Sequence, residues 1–121
     1  MKVDFVPIKA RVDRAIFKEP RRYARQNVTR NPYLVTFQKL KAQYNVKTAL
    51  DLGCGLGVSV EELLKCGIDA YGVDGSSLIR KASLRPDRFI VGDLRLGLKV
   101  KAGVDLIVCR EVAEHLPFEF A

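Results

Sequence analysis

Five carboxylates, a run of glycines and the chain's single histidine are the residues through which this sequence could do chemistry. The stretch Ala49-Leu50-Asp51-Leu52-Gly53-Cys54-Gly55-Leu56-Gly57 ends an apolar run in an acid and then places glycine at three alternate positions. Glycine suits backbone that must turn with positive φ or lie close to a ligand. A strand delivering such a loop to a helix start would set free N–H groups before a bound molecule. Tyr71-Gly72-Val73-Asp74, followed by Gly75, is a second apolar run closing on an acid, 19 residues beyond Gly55. A carboxylate at that distance suits a vicinal diol, because its two oxygens can accept both O–H donors. A helix starting near Glu111 would put Glu111, Glu114 and His115 on one face. Two carboxylates and an imidazole so placed could hold a divalent cation. A general base, and a local role in packing or substrate contact, are the other readings of these three residues.

Spacing separates two cofactor-binding patterns. The dinucleotide fingerprint G-x-G-x-x-G/A needs Gly or Ala at position 58, where Val58 stands. The run Asp51-x-Gly53-x-Gly55-x-Gly57 resembles instead motif I of class I S-adenosylmethionine-dependent methyltransferases. In the same register, Phe89-Ile90-Val91-Gly92-Asp93-Leu94 resembles the segment of that family whose acid and next backbone N–H read adenine. Val104-Asp105-Leu106-Ile107-Val108-Cys109-Arg110-Glu111 resembles the strand whose end faces the transferred methyl group.

The resemblance covers residues 46–121, roughly the first half of such a domain, and implies S-adenosylmethionine as cofactor. It assigns Asp51 and the backbone of Gly53 and Gly55 to the methionine end, Asp74 to the ribose, and Asp93 with Leu94 to the adenine. Cys54 inside the loop and Gly75 beside Asp74 belong to the same binding set. The plainer reading of each acid is a helix cap or a surface carboxylate.

Methyl transfer from a sulfonium is an in-line displacement, so the protein must mainly orient two reactants and in some cases take a proton. The stretch Glu111 to Leu116 is similar to small-RNA 2′-O-methyltransferases and to the O-methyltransferases of ubiquinone biosynthesis, where such a cluster binds metal near the accepting hydroxyl. Similar stretches also occur in small-molecule methyltransferases without a metal role. The Asp/Asn-Pro-Pro-Tyr loop of base-amine methylation and the Pro-Cys nucleophile of cytosine C5 methylation are both missing. A hydroxyl on a small molecule or on RNA therefore stands as the expected acceptor. A non-catalytic S-adenosylmethionine-binding subunit or sensor, and a nucleic-acid-binding protein, are the alternatives.

The elements that must position these residues follow from pattern and charge. Residues 1–47 hold 12 Lys/Arg against 3 Asp/Glu, whereas residues 48–121 hold 9 against 11. The chain thus divides into a basic, largely helical segment at 1–45 and alternating βα units at 46–121. A basic segment suggests a phosphate-rich partner, nucleic acid above all, or simply a solvated face. Asn31-Pro32 reads as an N-cap with proline at the first helical position. The helix it opens carries a stripe of Tyr33, Leu34, Phe37, Leu40 and Tyr44.

Strands are expected at Thr48–Leu52, Ala70–Val73, Phe89–Val91 and Val104–Cys109. Helices are expected from about Val58 to Cys66 and after Ser76 or Ser77, the latter with Leu78, Ile79 and Ala82 inward. Right-handed crossovers make this an α/β, Rossmann-like doubly wound parallel sheet of order 3-2-1-4, truncated to about four strands. Whole domains of this class carry seven strands. The outer edge of strand four is therefore expected to be covered by a second copy, a partner chain or the basic segment. No run approaches a membrane span, and Met1 to Phe5 lacks a signal-peptide core. The three cysteines follow no metal-ligand spacing, which suits reduced thiols in the cytoplasm.

Overall fold

A computed structural model describes residues 33–100, 103–110 and 112–120. The reading of the basic segment, Asn31-Pro32 included, and Glu111 lie outside the described residues. Four parallel strands, β1 (Thr48–Leu52), β2 (Asp69–Asp74), β3 (Phe89–Val91) and β4 (Leu106–Cys109), form one sheet in the order β3-β2-β1-β4. This is the expected order. Strand β4 is shorter at its start than the apolar run suggested.

Helix α1 (Leu34–Tyr44) ends at Asn45, whose φ of 53° is the left-handed stop that asparagine tolerates. Of its stripe only Phe37 is fully buried; Leu40 packs at the core margin, while Tyr44 is exposed. Helix α2 (Val58–Lys65) lies beside α1, buries Val60 and Leu63, and makes the core with Ala49, Ile68, Ala70, Phe89 and Val108. The Lys41 ammonium donates to the carbonyls of Cys66 (2.6 Å) and Gly67 (3.2 Å). It thereby places a cation on the negative end of α2 and ties the two helices together.

Two side-chain devices fix the sheet. Asp105 accepts the backbone N–H groups of Lys47 and Thr48, while the Thr48 hydroxyl accepts the Asp105 N–H. These reciprocal bonds lock β4 in register with β1. Arg88 pairs with Asp69 and lies over the Tyr71 ring at 4.7 Å, pinning the approach to β3 against β2.

Helix α3 (Ser77–Arg80) has only four residues, and Ala82, expected inward, is exposed beyond its end. The 3₁₀ turn Pro86–Arg88 then carries the chain into β3. Among the described residues β4 is paired along one edge only, and Ile107 keeps 53% of its surface in solvent.

Candidate cofactor and acceptor site

The carboxyl ends of β1, β2 and β3 lie side by side, and the site is built there. Asp51 closes β1 opposite Gly72 of β2 and Val108 of β4. The loop that follows turns on Gly53, Gly55 and Gly57, with φ of 71°, 54° and 89°. At Gly53 the requirement is double, because a Cβ would also sit 2.5 Å from Cγ2 of Val112. Gly72 has another reason for lacking a side chain: a Cβ there would lie 2.6 Å from both Cβ and Sγ of Cys54. Cys54 thus fills the notch that Gly72 leaves. Its thiol is pushed well above the ordinary range by burial, so its place in the loop is one of packing.

The expectation of free loop N–H groups does not survive. Gly53 and Cys54 both donate to the Val73 carbonyl, at 2.7 and 3.0 Å. Gly55 donates to Asp74 Oδ2 at 2.9 Å and Gly57 to the Cys54 carbonyl. The reason is topological: parallel strands β1 and β2 end level, so the amides of one loop meet the end of the neighbouring strand. What the loop can offer a ligand is the part-exposed Gly53, whose carbonyl accepts no bond among the described residues; Cys54 to Gly57 are buried.

Asp74, at the end of β2, is 8% exposed. Its two oxygens accept from the N–H groups of Gly55 (2.9 Å) and Ser76 (3.1 Å). Burial raises its pKa, and those N–H bonds pull it back. Three backbone N–H groups, of Gly55, Ser76 and Gly75, act on a carboxylate with about four lone-pair sites, so it is oriented and can still take a hydroxyl donor. Beside it the buried Ser76 hydroxyl has no partner among the described residues. A buried orphan hydroxyl next to an anchored carboxylate fits a diol-bearing ligand. Gly75 is buried between them.

Asp93 caps the 3₁₀ turn Leu94–Leu96 by accepting the Arg95 N–H, and the Arg95 guanidinium grips both its oxygens at 2.6 to 3.1 Å. This pairing holds the Asp93 carboxyl below the usual range. Leu94 opens the same turn and is half-buried. Asp93 thus lies at the carboxyl end of β3 with a cation already on it.

Asp51 is 4% exposed. Burial pushes its carboxyl up to about 7, opposed chiefly by the charge of Arg110. Two acids stand in the first turns of α2, and they differ: Glu61 pairs with Arg85. Glu62 is wholly buried, and its pKa is raised by that burial, opposed first by the charge of Arg110, then by Lys65 and the Tyr33 backbone. The signal was available in part: α2 is short, and Glu62 sits one residue from Leu63 on the face that Ser59 and Val60 also bury. Arg110 itself, the first residue after β4, donates to the Ser59 hydroxyl and lies 3.8 Å from the centroid of the Tyr33 ring.

The remaining expected residues stand apart. Ala113–His115 is a single 3₁₀ turn, not the α-helix that would have aligned Glu114 and His115 with Glu111. Both Glu114 and His115 are exposed. Among the described residues no group of three His, Cys, Asp or Glu side chains could hold a metal ion.

The comparisons with known proteins agree with this geometry. Residues 12–119 match the family described as "Methyltransferase domain". The chain is 30% identical over 95 residues to a ubiquinone biosynthesis O-methyltransferase of Methylococcus capsulatus, covering 72% of this chain and 40% of that protein. It is 32% identical over 94 residues to the enzyme of the same name from Coxiella burnetii, again covering 40% of the relative. The chain therefore spans well under half the length of these curated relatives. A methyltransferase from Geobacter sulfurreducens, solved with S-adenosyl-L-homocysteine, shares the fold with a TM-score of 0.59 at 24% identity, over 84% of this chain and 45% of that one. The chain belongs to the methyltransferase domain family.

Proposed function

We propose that this chain binds S-adenosylmethionine at the carboxyl ends of β1 and β2 and serves methyl transfer to a hydroxyl of a small molecule. The observation that carries the reading is Asp74, anchored by the Gly55 and Ser76 amides beside a Ser76 hydroxyl with no partner among the described residues. Asp74 would accept from the ribose hydroxyls, and the part-exposed Gly53 would admit the chain linking ribose to the amino-acid end. Asp51 and the Gly53 carbonyl would receive the ammonium. Asp93 and Leu94, at the next strand end, would border the adenine. The bound cofactor supplies an activated methyl group; the chain's residues contribute orientation.

The acceptor class is suggested by the O-methyltransferase names of the curated relatives. Glu114 and His115, exposed in the turn after β4, would meet such an acceptor. An RNA acceptor draws only on the basic charge of residues 1–47. The one-sided pairing of β4 favours a refinement: further polypeptide, from a second copy or a partner, closes the acceptor side.

Calorimetric titration with S-adenosylhomocysteine tests the reading. Binding to the wild type is expected, and Asp74→Ala should weaken it about 10- to 100-fold, the worth of hydrogen bonds to a charged group. A wild-type protein that shows no heat and no thermal protection at millimolar ligand would overturn it.

A further inference from the structure

Arg110 has surroundings that the reading above does not use. Its guanidinium is held from two sides, by the Ser59 hydroxyl on α2 and by the face of Tyr33 at the start of α1. It is the foremost opposing charge for two buried carboxyls, Asp51 and Glu62. Yet it makes no ion pair with either among the described residues, and the residue itself remains exposed. A guanidinium has five N–H donors in a planar fork, and among the described residues these bond only Ser59. The result is a cation fixed in place with most of its donors uncommitted, next to a buried acid at the end of the neighbouring strand. Glu62 is wholly buried and cannot itself reach solvent.

A fixed cation and a fixed acid side by side match an amino-acid zwitterion in one orientation only. The fork geometry of arginine suits a carboxylate in two-point contact, which a lysine would not reproduce. We propose that Arg110 grips the carboxylate of the cofactor's amino-acid end while Asp51 takes its ammonium, so that Arg110 sets the preference for ligands that carry this end. The inference rests on the cofactor reading above and adds to it a positioning residue. The competing account is purely mechanical: Arg110 ties β4 to the two helices and touches no ligand.

Two ligands separate these accounts. S-adenosylhomocysteine carries the amino-acid end; 5′-methylthioadenosine keeps the nucleoside and thioether without it. Both are titrated into wild type, Arg110→Met and Arg110→Lys, with thermal melting of each protein as a check on folding. The wild type should prefer S-adenosylhomocysteine. Arg110→Met should lose about tenfold or more of that affinity with the methylthioadenosine affinity unchanged, and Arg110→Lys should fall between. The preference is a ratio measured within one protein, so partial destabilisation cancels. If both affinities fall together, or neither changes, the clamp is wrong and the pocket stands. If the wild type binds neither nucleoside, the pocket reading fails and takes the clamp with it.

Discussion

The two ends of β1's neighbourhood are built to different standards. On the β2 side the amides of Gly53, Cys54, Gly55 and Gly57 have partners, Asp74 is anchored by backbone N–H groups, and glycines stand where a Cβ would collide with Cys54 or Val112. On the β4 side the strand pairs along one edge, Ile107 is half in solvent, and the turn bearing Glu114 and His115 is exposed. The difference teaches that the β2 side is organised by contacts between residues close in the sheet, whereas the β4 side is not enclosed by the described residues. Binding can be specified where the backbone closes on itself.

The largest expected effect tests whether the β1–β2 side is the stable half. Leu63 is fully buried between α2 and the sheet. Leu63→Ala should cost about 3 to 5 kcal/mol of unfolding free energy, the loss typical of a cavity left by a buried leucine. Urea denaturation measures it. A loss below about 1 kcal/mol would mean that the core tolerates collapse and that the contrast between the halves is overdrawn.

Next comes the acid sealed into the rigid half. Asp51 has its carboxyl raised from 3.8 to about 7 by burial. A raised acid keeps its proton in the folded state at pH values where the unfolded chain has lost it. The contribution of Asp51 to stability should therefore be greatest below about pH 4, fall as pH rises towards about 7, and level off beyond. Three units correspond to roughly 4 kcal/mol at the limit. Asp51→Asn should flatten that slope between pH 4 and 7 and leave the apo protein more stable at pH 8. The same acid should favour a bound ammonium only when ionised, so affinity for S-adenosylhomocysteine should decline as pH falls below about 7. Melting curves and titrations across this window decide both points.

The loop offers an effect of intermediate size that can be divided into parts. Gly53→Ala meets Val112 Cγ2 at 2.5 Å and also places a side chain at φ of 71°. The conformational part is about 1 to 2 kcal/mol, and the steric part adds to it. In a Val112→Ala background the steric part should vanish and the conformational part remain. A double-mutant cycle with a coupling near zero would show that Val112 moves aside freely, and that the β4 end is looser than its contact with the loop suggests.

Much of this arrangement was legible beforehand because it depends on short-range pattern. Apolar runs ending in Asp51 and Asp74 gave strands β1 and β2, and Val58 marked the start of α2. Three features escaped for physical reasons. The loop amides were expected to be free, but their bonding to Val73 and Asp74 depends on how level two strands end, which no single segment encodes. The burial of Glu62 was not foreseen, because composition cannot say which face of an eight-residue helix meets a neighbour. Arg110 looked like the tail of a strand; its value comes from Ser59, 51 residues earlier, and from Tyr33. The Glu114–His115 turn went the other way, since spacing alone proposed a helix that the backbone resolves as one 3₁₀ turn.

The smallest expected effect is the most telling about the open half. Ile107 lies mid-strand in β4, where a buried isoleucine would be ordinary, yet 53% of it faces solvent. If nothing covers that face, Ile107→Thr removes little buried area and should change stability by no more than about 0.5 kcal/mol, as for most surface positions. If a second copy or another polypeptide packs there in solution, the same change removes apolar contact from an interface and should cost about 1 to 3 kcal/mol. The cost would then grow weaker on dilution if the cover is a second copy, because association is concentration-dependent. Denaturation at two protein concentrations, beside light scattering, distinguishes these cases. A small, concentration-independent effect keeps the two halves as different as they look; a large one means that the β4 face is a half-built interface, and that the contrast drawn above belongs to the isolated chain alone.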